Sequence, residues 1–168
     1  MLKRRSERRS VARQDHETLQ VVAFRVGPEL YGLDIASVQE IDRLQPITRV
    51  PQALSFVEGV IHVRGAIIPV VDLSRRFGAA PGAAAKQTRI IIASLRNQSV
   101  GFIVNAVTEV VAVPVSSIGP PPPLTFDRSR RFITGMARVG EELISILSID
   151  QLLSTEEIGQ LQQQQSLF

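Results

Sequence analysis

Few side chains in this sequence are equipped for covalent or acid–base chemistry. Cysteine is absent, which excludes a thiolate nucleophile, a disulfide framework and a cysteine-bound zinc or iron–sulfur centre. Of the two histidines, His16 lies in a basic stretch and His62 in an apolar, strand-like run; neither has the neighbours of a metal site or a catalytic triad. The carboxylate pairs Glu141-Glu142 and Glu156-Glu157 are sequence neighbours in a turn and at a helix start, where solvated charge is the ordinary explanation. The segment GAAPGAAAK (78–86) lacks the spacing and the trailing Ser or Thr of a phosphate cradle. The expectation is a non-enzyme with no cofactor and no metal. Arginine supplies the remaining candidate. Arg64 is flanked by apolar residues and followed by Gly65, and a rigid guanidinium fork in such a place reads either as a partner-binding group or as an ordinary exposed turn residue.

The elements that must position these residues are strands. Hydrophobic residues make up 44% of the 168-residue chain and aromatics only 5%, so the apolar content is aliphatic and β-branched, which suits a pleated surface. LQVVAFRV (19–26) reads as a buried strand ending at the turn Gly27-Pro28. LYGLDIASVQEI (30–41) reads as a second extended run with a bend near Ala36-Ser37. PQALSFVE (51–58) reads as a short helix with Pro51 at its start and Gly59 as its C-cap. VIHVRGAIIPVVDL gives two strands around Arg64-Gly65. RIIIASL and SVGFIVNAVTEVVAV give a hairpin around Arg96-Asn97-Gln98, and FITGMARVGEELISILSI a closing hairpin around Gly140. The prolines at 120–123 read as a stiff loop. Ser154-Thr155-Glu156-Glu157 reads as a capping box opening a C-terminal helix, whose glutamines at 162–165 are expected to fray.

The chain also repeats itself. ELYGLDIASVQEI (29–41) aligns without gaps on QSVGFIVNAVTEV (98–110), and GVIHVRGAIIPVVDL (59–73) on GMARVGEELISILSI (135–149). Two copies of one all-β unit are implied, each too small to bury much core alone. The repeat acts as an internal control. Gly59 recurs as Gly135, so both read as structural, and Glu40 recurs as Glu109. Arg64 does not recur, its counterpart being Gly140. Charge is unevenly placed: Lys3, Arg4, Arg5, Arg8, Arg9 and Arg13 give residues 1–16 a net +4, leaving −1 for the rest of a chain whose total is +3. Residues 1–18 therefore read as a basic, disordered tail on a neutral body. A neutral, aromatic-poor body offers no stacking platform for nucleic acid, and no apolar run reaches the length of a membrane span.

Taken in order, VVAFRVGPELYGLDIASVQEI, ITRVPQALSFVEGVIHVRGAIIPVVDLSRRFG, RIIIASLRNQSVGFIVNAVTEVVAV and FITGMARVGEELISILSIDQLL resemble the CheW family of bacterial chemotaxis coupling proteins over about residues 19–155. The resemblance implies an all-β, CheW-like fold. Its two intertwined five-stranded barrels of the Src-homology-3-like type would span roughly 28–78 and 88–150 with strands exchanged. A few short helices and a C-terminal helix ending at 156–168 complete it. It implies a cytoplasmic, non-enzymatic adaptor recruited to membrane-associated receptor arrays, with a CheA-type histidine kinase, the cytoplasmic tips of methyl-accepting receptors and other CheW-like domains as partners. The family's Asn-apolar-Arg-Gly motif falls on His62-Val63-Arg64-Gly65, with His62 in place of Asn. By the same matching, Val38, Glu40, Arg64 and Val107 are expected to bind receptor, and Ile47, Arg49, Gly59 and Gly65 to bind kinase or support the fold. The basic arm, the 78–86 segment and the prolines lie outside the family pattern, which leaves a surface-sensing or type IV pilus system as an alternative output. An arm that binds nucleic acid is the reading from a different class. A further alternative is the same domain cut from a longer signalling protein, as in CheV or the kinase's own regulatory domain, and a chain ending at Phe168 with no receiver domain is expected to speak against CheV.

Overall fold

The computed structural model describes residues 17–79, 82, 84–121 and 128–166. Ten strands form two five-stranded sheets: β1 (Thr18–Val26), β2 (Glu29–Asp34), β3 (Val38–Arg43), β4 (Val57–Val63), β5 (Ala66–Asp72), β6 (Arg89–Leu95), β7 (Gln98–Val104), β8 (Ala106–Pro114), β9 (Ile133–Val139) and β10 (Glu142–Leu147). The helices are α1 (Leu73–Arg76), α2 (Ile149–Leu152) and α3 (Thr155–Gln165). One sheet has the order β8-β1-β2-β10-β9 and the other β3-β6-β7-β5-β4. Each sheet thus combines the first two strands of one repeat with the last three of the other, and the ranges 28–78 and 88–150 are both divided between the sheets. In each sheet the two repeats join twice, at the single parallel pairing, β10 with β2 or β5 with β7, and at an antiparallel one, β1 with β8 or β3 with β6.

Alternation along the strands explains where the core sits. On β1, Val21 and Ala23 face the interior of their own sheet, whereas Val22, Phe24 and Val26 face the other sheet. On β6, Ile90 and Ile92 turn inward, whereas Ile91, Ala93 and Leu95 enter the same shared core. That shared core holds every aromatic residue with a described side chain: Phe24, Tyr31, Phe56, Phe77, Phe102 and Phe132. Tyr31, Phe77 and Phe132 pack in series with tilted rings at centroid distances of 5.1 and 5.6 Å. At about 1.5–3 kcal/mol for each fully buried side chain of this size, the joint is the main apolar resource of the molecule. Two small units have solved their shortage of core by sharing one.

Several sequence expectations need correction. No helix forms over 51–58. Pro51-Gln52 is a turn with Gln52 at φ 60°, and the Phe56 carbonyl accepts from Asp72 N at 2.8 Å, so this backbone is already pairing with the end of β5. Gly59 lies inside β4 rather than capping a helix. The run 30–41 breaks at a 3₁₀ turn, Ile35–Ser37, capped by Asp34 Oδ1, and its halves join different sheets. The run 99–113 breaks likewise at Asn105, where β7 gives way to β8 in the opposite sheet. Residues 162–165 are helical rather than frayed, and Gln165 Nε2 donates to Ile67 O at 2.5 Å. The capping box is present as expected: Ser154 Oγ accepts from Glu157 N at 3.1 Å, and Glu157 Oε1 accepts from Ser154 N at 2.8 Å. Residues 1–16 and the prolines at 122 and 123 lie outside the described residues.

Candidate partner-binding site

The β4–β5 hairpin turns on two residues, Arg64 at φ 48° and Gly65 at φ 79°, the left-handed pair that matches the twist of the flanking strands. Arg64 is held there with 81% of its side chain exposed, and its Nη2 lies 2.6 Å from Oε2 of Glu40, whose side chain is 23% exposed. β3 and β4 are the two opposite edges of their sheet. The ion pair therefore reaches across the seam where those edges approach, a closure also marked by the bridge between Thr48 and Val60. Asp42, two residues on and on the same face of β3, has its carboxyl pushed up by burial and by Glu40, with Arg64 pulling the other way. The seam is an acidic strand face served by one exposed guanidinium.

The second copy lacks this arrangement. Gly140 takes the place of Arg64 at a similar φ of 61°, and Glu109, the counterpart of Glu40, is exposed with no ion-pair partner among the described residues. Val38 and Val107 occupy equivalent places in the two copies, half-buried against the shared core: Val38 pairs with Ala93 and Val107 with Phe24. Ile47 packs on the interior of its sheet, where its Cγ2 would stand 2.9 Å from a Cβ on Gly59. That Cβ would also meet Thr48 O at 2.0 Å, and Gly135 in the other copy would meet Ile118 Cγ2 at 2.5 Å. Both glycines sit beneath the chain that crosses the seam, since Thr48 bridges to Val60 and Gly119 to Met136. Gly65 faces open space, and Arg49 is exposed on the loop after β3. Arg64 and Glu40 are thus brought together, as are Ile47 and Gly59. Arg49 joins neither pair.

Sequence reasoning missed Arg76. Its guanidinium donates to both carboxylate oxygens of Glu157 at 2.9 and 2.7 Å, and its Nε donates to Leu152 O at 2.8 Å. The same group lies over Phe56 at 4.3 Å and Phe132 at 5.1 Å, with 9% of the side chain exposed. Local sequence carries no signal for it, because SRRF reads as an ordinary basic helix end. Among the described residues no group of His, Asp and Glu side chains is arranged to hold a metal ion, and no helix is long and apolar enough to cross a membrane.

The model of the CheW-like domain matches residues 20–157. The chain is 33% identical to the probable chemotaxis protein CheW of Rhizobium etli over 138 residues, covering 82% of this chain and 89% of that one. It is 32% identical to the chemotaxis protein CheW of Klebsiella aerogenes, covering 81% and 82%. Among solved structures, it is similar to the scaffolding protein TtCheW from Thermoanaerobacter tengcongensis, with a TM-score of 0.77 and 39% identity over 84% of this chain and 96% of that one.

Proposed function

We propose that this chain, which belongs to the CheW-like family, is a non-enzymatic adaptor that couples methyl-accepting chemoreceptors to a CheA-type histidine kinase. The observation that carries the reading is Arg64. The second copy of the fold does without an arginine at this turn, yet the first copy holds one in a left-handed conformation with most of its side chain in solvent. In this reading the guanidinium and the half-buried Val38 and Val107 meet a receptor helix that lays an apolar stripe between the sheets. Glu40 sets the direction of the fork. Ile47, Arg49, Gly59 and Gly65 serve the kinase-facing side or hold its shape, and other CheW-like domains complete the array. Individual contacts of this kind are weak, and repetition across a membrane-associated array multiplies them.

The test is a pull-down of wild type and Arg64→Ala with a CheA-type kinase and a receptor cytoplasmic fragment from the same genome. Ternary capture by wild type, lost on the receptor side alone in the variant, is the expected result. Failure of wild type to capture either partner would overturn the proposal and turn attention to polyanion binding by the basic arm, whose affinity would fall steeply with salt.

A further inference from the structure

A second constellation present in only one copy includes neither Arg64 nor Glu40. Glu58, Asp72 and Arg75 have the counterparts Thr134, Ser148 and Gln151, so the scaffold does not require charge at these places. The three line a half-open cleft of about 530 Å³ at the end of the β3-β6-β7-β5-β4 sheet, a size ordinary for a binding pocket. Its apolar wall is Leu44, Ile47 and Ile103, and neither Arg64 nor Glu40 takes part.

The polar side of the cleft carries a surplus of negative charge. Arg75 Nη2 lies 3.1 Å from Glu58 Oε1, and its Nη1 donates to Ser55 O at 3.4 Å, so its fork is largely spent. Asp72 is nine-tenths buried. Its Oδ1 accepts from Ser74 N at 2.9 Å, the Arg75 backbone amide also donates to the carboxylate, and its Oδ2 keeps a long ion pair with Arg75 Nε at 3.9 Å. Burial, followed by the nearby Glu58 carboxylate, pushes the Asp72 carboxyl up, the state that an incoming cation relieves. Two carboxylates, one guanidinium already engaged and an aliphatic wall match one kind of guest. A long basic side chain lays its methylene stem on apolar surface and extends its charged head to the acids.

We infer that this cleft binds an arginine or lysine side chain, flanked by an apolar residue, from an extended segment of a partner protein. The site shares Ile47 with the kinase-facing side proposed above but uses none of Val38, Glu40, Arg64 and Val107, and its test, with a dipeptide probe, does not depend on capture of kinase or receptor. The full chain, labelled with ¹⁵N, is titrated with acetyl-Leu-Arg-amide and separately with acetyl-Leu-Glu-amide. The expected result is saturable shifts at the amides of Glu58, Ser74, Thr88 and Asn105 with the arginine peptide alone. Affinity should fall about tenfold or more in Asp72→Asn/Glu58→Gln. Should the double variant unfold, Asp72→Asn alone gives the reading, because Asn caps α1 as well as Asp does. No saturable shift, or an equal response to the glutamate peptide, would overturn the inference. So would binding that appears only after residues 1–16 are removed, since the chain's own basic arm would then be the occupant.

Discussion

Arg64 carries a conformational cost that Gly140 avoids. A non-glycine residue in the left-handed region is disfavoured by about 1–2 kcal/mol, and the exposed pair with Glu40 returns about 0–1 kcal/mol. Arg64→Gly is therefore expected to be at least as stable as wild type in urea denaturation while losing receptor capture. A clear loss of stability would mean that the arginine serves the fold. Gly59 and Gly135 make a second comparison. Alanine at 59 drives a Cβ into the Thr48 carbonyl at 2.0 Å, which is backbone and cannot yield, whereas alanine at 135 meets the Cγ2 branch methyl of Ile118 at 2.5 Å, a side-chain atom, and the Gly119 carbonyl only at 3.3 Å. Gly59 also stands at φ 151°, so alanine there adds backbone strain. Gly59→Ala should cost upwards of about 3 kcal/mol and Gly135→Ala about 1–2 kcal/mol; equal costs would refute this account of the seam. Asp72 gives a pH signature. Its carboxyl titrates above its ordinary value in the folded state, so ionisation weighs against folding above the folded pKa and ceases to matter below the unfolded one. Asp72→Asn should be more stable than wild type at neutral pH, and thermal melts should show the difference closing as the pH falls through the carboxylate range.

At the scale of elements, α3 is fastened at its start by the Arg76–Glu157 pair and the Arg96 donation to Thr155 Oγ1, and at its end by Gln165, and the buried clamp is the Arg76 contact. Arg76 grips both oxygens of Glu157 while covered by Phe56 and Phe132, so removing either partner strands a charge in a place with little water. Arg76→Ala is expected to cost about 3 kcal/mol and to speed amide exchange first in 155–165. Burial pushes the Glu157 carboxyl up, but the Ser154 amide and the Arg76 guanidinium together hold it below its ordinary value. The contribution of this group is thus complete above the ordinary carboxylate pKa and is lost as the pH drops through the lowered one. Protection of α3 should fade in acid before that of the strands, and uniform fading would contradict the clamp. The start of α3 was legible in advance because a capping box is local. The hairpin turns were legible for the same reason, each being marked by Gly or Asn. The Arg76 clamp was not, since its partner is 81 residues away. The helix expected over 51–58 failed because Phe56 and Val57 are claimed by the shared core, and long-range burial outweighs a helical spacing of two residues.

For the molecule as a whole, the repeat could be read from sequence but the exchange could not follow from it. Pattern matching reveals which segments are alike and says nothing about which sheet each one joins. The family resemblance supplied the word intertwined, and the register supplies its content: β1-β2 completes a sheet with β8, β9 and β10, and β6-β7 completes one with β3, β4 and β5. Neither repeat therefore contains a finished sheet, and both contribute to the aromatic core. A physical consequence can be tested by cleaving the chain after Gly82, in the segment between the repeats. Each fragment alone would leave edge strands unpaired and half of the shared core in water, so neither should show native strand signal or a cooperative melt. Mixed, they should restore both sheets without a covalent link, because four of the eight strand pairings join the two fragments and none of them runs through the linker. What the cut removes is effective concentration, in the millimolar range for a short tether. The melting temperature of the reconstituted pair should accordingly rise with protein concentration, while that of the intact chain stays fixed. Independent folding of either fragment would show that one sheet is self-sufficient and that the exchange contributes little. Reconstitution would establish that the two sheets, and with them the spacing of Arg64, Val38 and Val107, stand or fall together.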